Sequence, residues 1–409
     1  MSQISEVHGR GAGSRVSEKA QISLVERARA ISEIVSNGAA EGQAKGQLTE
    51  SVVEALKASE LPWALVPSEW GGAGCTDVVE IMDAIEEIAF ADGSAGWVIM
   101  AQSFGVGMLA SVLEPELAKA MVGGEARGSL CGHVAPNGRA ERVEGGYRVT
   151  GHWQFASGAN CSTYVAGGSH AYEDGNLLTE NGAPVWLYPM FPAEDVKWLG
   201  NWDVAGLQAT ASWDFSVEDL FVPDAMVVKL PVPELNGLPS VYELGFTATV
   251  NAQHASFALG VMKRAFAEIA NVISRKTRVG YDGPIGQSQL FAYEFASMEA
   301  QYQATRGYVR KVFADAQARM TPDGPTPEDT ARMLVACSWM TKVSEDLIQW
   351  CNSWGGSASV RMPSVLARCL NDIAVAGNHL YADRMNIVAG APDILASWSG
   401  GPDRTVRTN

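Results

Sequence analysis

The sequence of 409 residues lacks the cysteine patterns that mark metal-bound or disulfide-linked proteins. Its six cysteines are far apart and include no C-x-x-C pair, so neither a zinc site nor a disulfide framework is predicted, and a reducing cytoplasm is the expected compartment. The first residues contain no apolar run, which argues against a secretory signal peptide. Residues 1–20 are predicted to form a mobile tail.

Positive charge is also scarce. The chain has 30 Lys and Arg residues against 46 Asp and Glu residues, a net charge of -16, and it contains no basic run. This balance repels the phosphates of nucleic acids, so nucleic acid is not an expected partner. A single phosphate is still compatible with it, because a helix N-terminus and one or two arginines can hold that group inside an acidic protein.

Nucleotide-binding and catalytic-metal motifs are missing. The sequence has no P-loop and no G-x-S-x-G motif. Its nearest approach to a dinucleotide loop, Gly105-Val106-Gly107, lies in an apolar helical run without a preceding strand, so these glycines are predicted to serve helix packing. The six histidines show no metal-ligand spacing and no H-E-x-x-H motif occurs, so no metal is predicted.

Charge disappears altogether between Leu244 and Met262, a stretch long enough to suggest a membrane span. Three polar residues, Asn251, Gln253 and His254, interrupt this stretch, and charged residues follow it at once. The pattern favours a helix buried in a bundle, and no membrane partner is predicted.

The spacing of apolar residues predicts an α+β protein in four parts. Apolar residues recur every three or four positions in the first and last thirds of the chain and alternate with polar residues in the middle third. The predicted parts are the tail at 1–20, a helical domain at 21–125, a β-sheet domain at 126–231 and a C-terminal helical bundle at 232–409. In the bundle, one apolar stripe predicts a long helix: Phe291, Phe295, Met298, Tyr302, Val309 and Phe313.

An aromatic-rich strand, with Trp153 and Phe155 on it, is predicted just before Ser157 and Gly158. Such a strand can lie flat against a planar cofactor, with the Ser157 hydroxyl donating to a heteroatom of the ring. The alternative is a strand that ends in an ordinary turn, and the residues of this segment alone favour the turn.

Several motifs occur together in one order along the chain. They are Val66-Pro67 with Trp70-Gly71-Gly72, Asp92 to Trp97, Ala135 to Gly158, and Gly206 to Ser212 with Phe221-Val222-Pro223. With its helix, sheet, helix arrangement, the chain resembles the acyl-CoA dehydrogenase superfamily over about residues 20–395. The resemblance implies that family's fold, with an N-terminal helical domain, a middle antiparallel β domain and a C-terminal four-helix bundle.

Two further motifs resemble parts of the family's flavin site. The segment from Arg278 to Ile285 is similar to a signature whose arginine contacts flavin phosphate across a subunit interface. Trp354-Gly355-Gly356 resembles a turn that approaches the cofactor of a neighbouring subunit. Both imply flavin-binding residues and a homotetramer. The alternatives are an arginine that meets a carbonyl or carboxylate at a helix end, and glycines that cap a helix.

The catalytic base of the dehydrogenases is missing from both of its family positions. Asn371-Asp372 resembles the pair from which the base is counted, and eight residues after Asp372 stands Leu380; the other family position falls near Val250. Neither side chain accepts a proton. Glu243 stays as a remote candidate, which keeps an acyl-CoA dehydrogenase or a nitroalkane-type oxidase as the alternative function.

His379 instead resembles the histidine of the two-component flavin-dependent monooxygenase branch of the superfamily. The resemblance implies an oxygenase component that takes reduced FMN or FAD and O2, forms a flavin 4a-hydroperoxide and hydroxylates a substrate. It also implies that Ser157 bonds flavin nitrogen 5, that His379 supplies a proton to the peroxide at neutral pH, and that Trp153 and Phe155 face the flavin.

The substrate contacts are less defined. His133, expected on the strand opposite Ser157, is a candidate to orient or deprotonate an acidic group of the substrate, and Cys131 and Gln102 are further candidate contacts. Twelve tryptophans suit a flat substrate, although they also fill the core of a large protein. A small phenolic or indole-like compound is expected first, and N- or S-oxygenation of a non-aromatic compound second.

The resemblance to the two-component branch also implies a partner, and a supply of reduced flavin would explain the absence of a nicotinamide loop. A separate NAD(P)H-dependent flavin reductase is expected to supply the reduced flavin. A flavin-free binding scaffold is the remaining alternative, and it would show no affinity for either redox state of flavin.

Overall fold

The computed structural model describes residues 22–232 and 234–399, so the tail predicted for residues 1–20 lies outside the described residues. Helices come first. Ser23 begins the first of them through a reciprocal pair of hydrogen bonds with Glu26, which satisfies free amides at the helix start. The N-terminal helices are α1 (Leu24–Lys45), α2 (Glu50–Ala58), α3 (Val78–Ala91), α4 (Gly93–Val112) and α5 (Pro115–Val122).

Helix α4 is apolar on nearly every side. Among the described residues it alone is long and apolar enough to cross a membrane, but 83% of its most apolar window is buried inside the protein. A helix that is apolar all round is typical of a protein core. Gly105 and Gly107 lie on it and pack closely against Leu130 and Leu65, as predicted for this stretch.

A mixed β-sheet follows α5. Its main strands run in the spatial order β10-β7-β3-β1-β2-β9-β8, with β4 added beside β3, while β5 and β6 form a separate hairpin. The strands are β1 (Leu130–Val143), β2 (Gly146–Ala156), β3 (Tyr164–Glu173), β4 (Asn176–Leu177), β5 (Thr179–Glu180), β6 (Ala183–Pro184), β7 (Trp186–Pro192), β8 (Lys197–Trp198), β9 (Trp213–Pro223) and β10 (Val227–Leu230).

The prediction of a purely antiparallel sheet was wrong for one pair of strands. β1 and β3 run parallel, with Leu130 opposite Tyr164. The chain reverses from β1 into β2 and reverses again into β3, which adds to the free side of β1 rather than to β2. Alternating polarity in the sequence shows which residues share a face of a sheet but not which strands are neighbours.

The C-terminal part is helical. Helices α6 (Phe246–Arg275), α7 (Gln289–Ala318), α8 (Pro327–Gly355) and α10 (Val365–Ala376) pack together, the short α9 (Ser357–Val360) links two of them, and α11 (Met385–Ser399) lies along α8 as a further helix. The stretch around Val250 is buried, as predicted, and so is most of the apolar stripe predicted for α7.

One loop, residues 206–212, joins the sheet to the bundle. Gly206 lies directly against the carbonyl of Asn371, where a Cβ would overlap it. The Leu207 amide donates to the carboxylate of Asp372 at 2.6 Å. Leu207 and Ala211 both have positive φ angles, 54° and 45°, a conformation that strains non-glycine residues and requires a fixed surrounding. Helix α10 thus anchors a strained loop.

Candidate active site

A cavity of about 480 Å³ lies where α4, the sheet, α6 and the end of α10 meet. Its lining is mainly apolar and aromatic, which is typical of small-molecule sites. The polar and aromatic side chains that line it are Trp97, Phe104, Cys131, His133, Phe155, Ser157, Tyr188, Trp202, Ser212, Phe246, Asn378, His379 and Tyr381. Three predicted catalytic residues, His133, Ser157 and His379, are therefore brought together.

Ser157 lies at the end of β2 and is held by two neighbours. The indole N–H of Trp97 donates to its Oγ at 3.0 Å, and the Oγ of Ser212 lies 2.8 Å from it. Gly158, which follows with a φ of 81°, donates its amide to the carbonyl of Thr210 at 2.8 Å. The strand end is thereby fixed to the 206–212 loop, and Ser157 stays half-buried at the cavity wall.

Phe155 faces the cavity, whereas the predicted flavin contact of Trp153 is wrong. Trp153 is fully buried in the core on the other face of the sheet, where its indole N–H donates to the carbonyl of Gly168 at 2.6 Å. The sheet register shifts between Trp153 and Ala156, and Phe155 has a φ of 63°. This bulge turns Phe155 to the opposite face from Trp153, although two residues apart in a regular strand share a face.

His379 begins the short turn after α10 and is a neutral imidazole near pH 7. Burial, with a smaller contribution from the nearby His133, lowers its pKa to about 4. Its Nδ1 accepts the backbone amide of Tyr381 at 3.5 Å, which leaves the proton on Nε2. The proton supply predicted for His379 is therefore limited, at neutral pH, to a hydrogen bond from Nε2–H.

The predicted substrate contacts divide into two groups. His133 and Cys131 line the cavity from β1, where burial lowers the pKa of His133 and raises the pKa of the Cys131 thiol to about 12. The prediction for Gln102 was wrong: it donates to Cys161 at 3.2 Å and lines a separate cleft. Helical geometry explains this, because Ala101 faces the cavity and the next residue is turned by about 100°.

Sequence reasoning missed several wall residues. Tyr188 and Tyr381 line the cavity, and burial raises the pKa of Tyr381 to about 12, so its phenol stays protonated. Trp97 packs edge-on against both His254 and His379, with ring centroids 5.4 Å and 5.6 Å apart. The Asp92 to Trp97 motif was an available signal for Trp97, but it identified a helix start and not the direction of the indole.

Arg278 and the Trp354-Gly355-Gly356 turn lie together, away from the cavity. The guanidinium of Arg278 donates to the carbonyl of Trp354 at 2.7 Å. A Cβ on Gly356 would lie 2.9 Å from the same guanidinium. Lys276 also donates to the carbonyl of Gly355. These bonds cap the C-terminal end of α8, and they gather positive charge at one glycine turn. Within a single chain, the turn does not line the cavity.

Two family models match the chain on either side of the sheet. Residues 18–129 match the acyl-CoA dehydrogenase N-terminal domain, and residues 252–384 match the acyl-CoA dehydrogenase C-terminal domain. Together they cover more than half of the sequence. The chain belongs to the acyl-CoA dehydrogenase family.

Several proteins similar in sequence to the chain are named monooxygenases or hydroxylases. Indole-3-acetate monooxygenase from Pseudomonas putida is 26% identical over 82% of this chain and 84% of its own length. The oxygenase component of an FADH2-dependent resorcinol hydroxylase from Rhizobium sp. is 26% identical over 88% and 91%. These relatives confirm the prediction of the flavin-dependent monooxygenase branch and of an oxidoreductase.

Solved structures confirm the acyl-CoA dehydrogenase fold. XiaF from Streptomyces sp., solved with FADH2 and glycerol, superposes with a TM-score of 0.80 at 22% identity, covering 94% of this chain and 97% of that one. Butyryl-CoA dehydrogenase from Megasphaera elsdenii superposes with a TM-score of 0.74 at 16% identity, covering 91% and 97%. At these identities the likeness establishes the fold alone.

Proposed function

We propose that the protein is the oxygenase component of a two-component monooxygenase that uses reduced flavin and O2 on a small aromatic substrate. One observation carries the proposal: among the described residues, no carboxylate lines the cavity, while two histidines and two serine hydroxyls do. Leu380 and Val250, at the two positions where the dehydrogenases carry their base, both line it. The remote candidate Glu243 is exposed and caps the amide of Ser240, so it supports no dehydrogenase reading.

The cavity wall fits a flavin ring. Phe155 is 55% exposed and offers a flat apolar face, and Ser157, two residues further, offers a hydroxyl beside it. Reduced flavin, when bound, supplies the electrons that activate O2 for insertion of one oxygen atom into a substrate. Phe155 would support the ring, and Ser157 would bond its nitrogen 5.

The remaining groups of the chain hold the reacting space. Nε2–H of His379 would donate a hydrogen bond into the cavity, and the apolar walls from α4 and α6 would exclude water. His133, whose ring centroid lies 6.5 Å from that of Phe155, would orient a phenol or an indole N–H. Apolar, aromatic walls favour such substrates over charged amines.

Two partners follow from this proposal. A separate NAD(P)H-dependent reductase would supply the flavin, as the oxygenase-component names of the relatives support. A homotetramer would let the Arg278 turn of one chain meet the flavin phosphate of another, since that turn does not reach its own cavity. The apolar residues Met385, Val388 and Leu395 are exposed on α11, which supports association of chains.

The test is anaerobic mixing of the purified protein with chemically reduced FMN or FAD, followed by oxygenated buffer. We expect the oxidised-flavin absorption to return later than it does for free flavin. Anaerobic bleaching of bound oxidised flavin by an acyl-CoA would instead support the dehydrogenase alternative.

The role of His379 has its own measurement. We expect His379→Ala to release more hydrogen peroxide per product, because its hydrogen bond is lost from the cavity. His152→Ala, which removes a histidine of β2 that is outside the cavity lining, is the matched control. Equal peroxide yields for the two variants would remove His379 from the mechanism.

A further inference from the structure

We propose that a chain of hydroxyl groups fixes Ser157 as a hydrogen-bond acceptor, and that the cavity thereby selects reduced flavin over oxidised flavin. This inference rests on the proposed function. It assigns positioning roles to Ser212, Thr210 and Trp97, and it reverses the donor role that the sequence suggested for Ser157.

Counting protons shows which hydroxyl group donates to which along this series of hydrogen bonds. The Thr210 hydroxyl lies 2.8 Å from the carbonyl of Leu207, which can only accept, so Thr210 donates there. The Ser212 hydroxyl lies 2.7 Å from Thr210 and must donate to it, because the single proton of Thr210 is already used. By the same reasoning Ser157, 2.8 Å from Ser212, donates to Ser212.

Trp97 occupies one of the two lone pairs of the Ser157 hydroxyl oxygen. An indole N–H can only donate, and it reaches the Ser157 oxygen at 3.0 Å. Ser157 therefore has its proton committed to Ser212 and one lone pair committed to Trp97. What it presents to the cavity is its second lone pair.

The chain is held by its surroundings. Thr210 and Ser212 are buried, and the amide of Ala209 donates to the Ser94 hydroxyl at 3.2 Å. With the bond from Leu207 to Asp372, the loop is anchored from two helices. Reversing the hydroxyls would leave the Thr210 oxygen against the Leu207 carbonyl without a proton between them, an unfavourable contact in a dry site.

An acceptor at this place distinguishes the two redox states. Nitrogen 5 of reduced flavin carries a hydrogen, whereas nitrogen 5 of oxidised flavin is a bare acceptor. Ser157 can accept from the first and repels the second. Such a group makes the reduced form bind more tightly than the oxidised form. It therefore favours both uptake of reduced flavin and release of oxidised flavin by the protein.

The experiment measures the dissociation constants of reduced and oxidised FMN and FAD with the full-length protein, by anaerobic titration. We expect the wild type to bind the reduced form at least about tenfold more tightly, roughly the value of one hydrogen bond. In Ser212→Ala the Ser157 proton loses its acceptor and can turn to the cavity. We therefore expect a gain of affinity for oxidised flavin and a fall of about tenfold in the preference.

Thr210→Val tests the same chain one link further, and it serves alone if Ser212→Ala does not fold. Ser169→Ala is the control, since Ser169 is a buried serine of the same sheet that donates to the carbonyl of Gly167 outside the chain. A general loss of packing would weaken both redox states and would not improve one of them.

The outcomes separate the two proposals. A higher affinity for oxidised flavin in Ser212→Ala and Thr210→Val, with the affinities of Ser169→Ala unchanged, supports the inference. Equal affinity for the two redox states in the wild type, or an unchanged preference in both chain variants, overturns the inference while the monooxygenase proposal stands. Binding of neither redox state by the wild type overturns the proposed function itself.

Discussion

The two faces of the middle sheet are built in different ways. On the core face, Trp153 is fully buried and stacks on Phe215 with ring centroids 5.0 Å apart. On the cavity face, Phe155 is 55% exposed. Two residues of one strand thus serve stability and ligand contact separately. The comparison teaches that two aromatic residues of one motif can lie on opposite faces of the sheet, one in the core and one at the cavity.

The largest effect that we expect comes from the core face. Glycines at 138, 151 and 167 make room for the Trp153 ring. Trp153→Ala should lower the free energy of unfolding by about 3–5 kcal/mol, as for other large aromatic deletions. Phe155→Ala should change stability little and weaken flavin binding instead. Urea unfolding and flavin titration of both variants check this, and the reverse pattern would contradict the division of faces.

Asp372 anchors the 206–212 loop beside the cavity by accepting a hydrogen bond from the Leu207 amide. Burial and the neighbouring Asp92 raise the pKa of Asp372 from 3.8 to about 7. The protonated form is favoured in the folded state, so this group stabilises the protein most below pH 4 and loses that contribution as the pH rises to 7. The loss is up to about 4 kcal/mol.

Asp372→Asn keeps an acceptor for the Leu207 amide and cannot ionise. As the pH rises from 4 to 7, we expect the free energy of unfolding of this variant to increase relative to that of the wild type. Asp346→Asn, a substitution of an exposed carboxylate on α8, is the control. Parallel stability profiles for Asp372→Asn and the wild type would show that Asp372 does not titrate in this range.

A third region, the Arg278 turn, sharpens the comparison because it belongs to neither face. Arg278→Ala should weaken binding of reduced flavin about tenfold through loss of a charge-assisted bond to phosphate, whereas the fold should persist. Arg278→Lys, which keeps the charge without the planar fork, should recover part of the affinity. Unchanged affinity in Arg278→Ala would leave this residue as a helix cap only.

The smallest effect concerns pH. Because the pKa of His379 is about 4, the yield of product per O2 should not follow a His379 titration between pH 6 and pH 8. The measurement compares wild type with His379→Gln across this range. A transition near pH 6.5 that is present only in the wild type would contradict the neutral imidazole.

The fold and the cavity were largely predictable from the sequence, but the direction of individual side chains was not. Motif order identified the family, and His133, Ser157 and His379 do meet. Trp153 was misplaced because a bulge cannot be read from alternation, and Gln102 because a motif position does not fix the rotation of a helix. Trp97 and Ser212 were missed because their role depends on contacts between segments 60 and 55 residues distant from Ser157.

The bulge at Phe155 also has an evolutionary consequence. The bulge places residues 153 and 155 on opposite faces of the sheet, so mutations at these two positions affect different properties of the protein. We expect changes at 153 to act through loss of the folded protein, and changes at 155 to leave the fold intact while they alter the cavity. A lineage can therefore explore new chemistry on this scaffold by drift at the bulge, without first acquiring a compensating stabilising mutation.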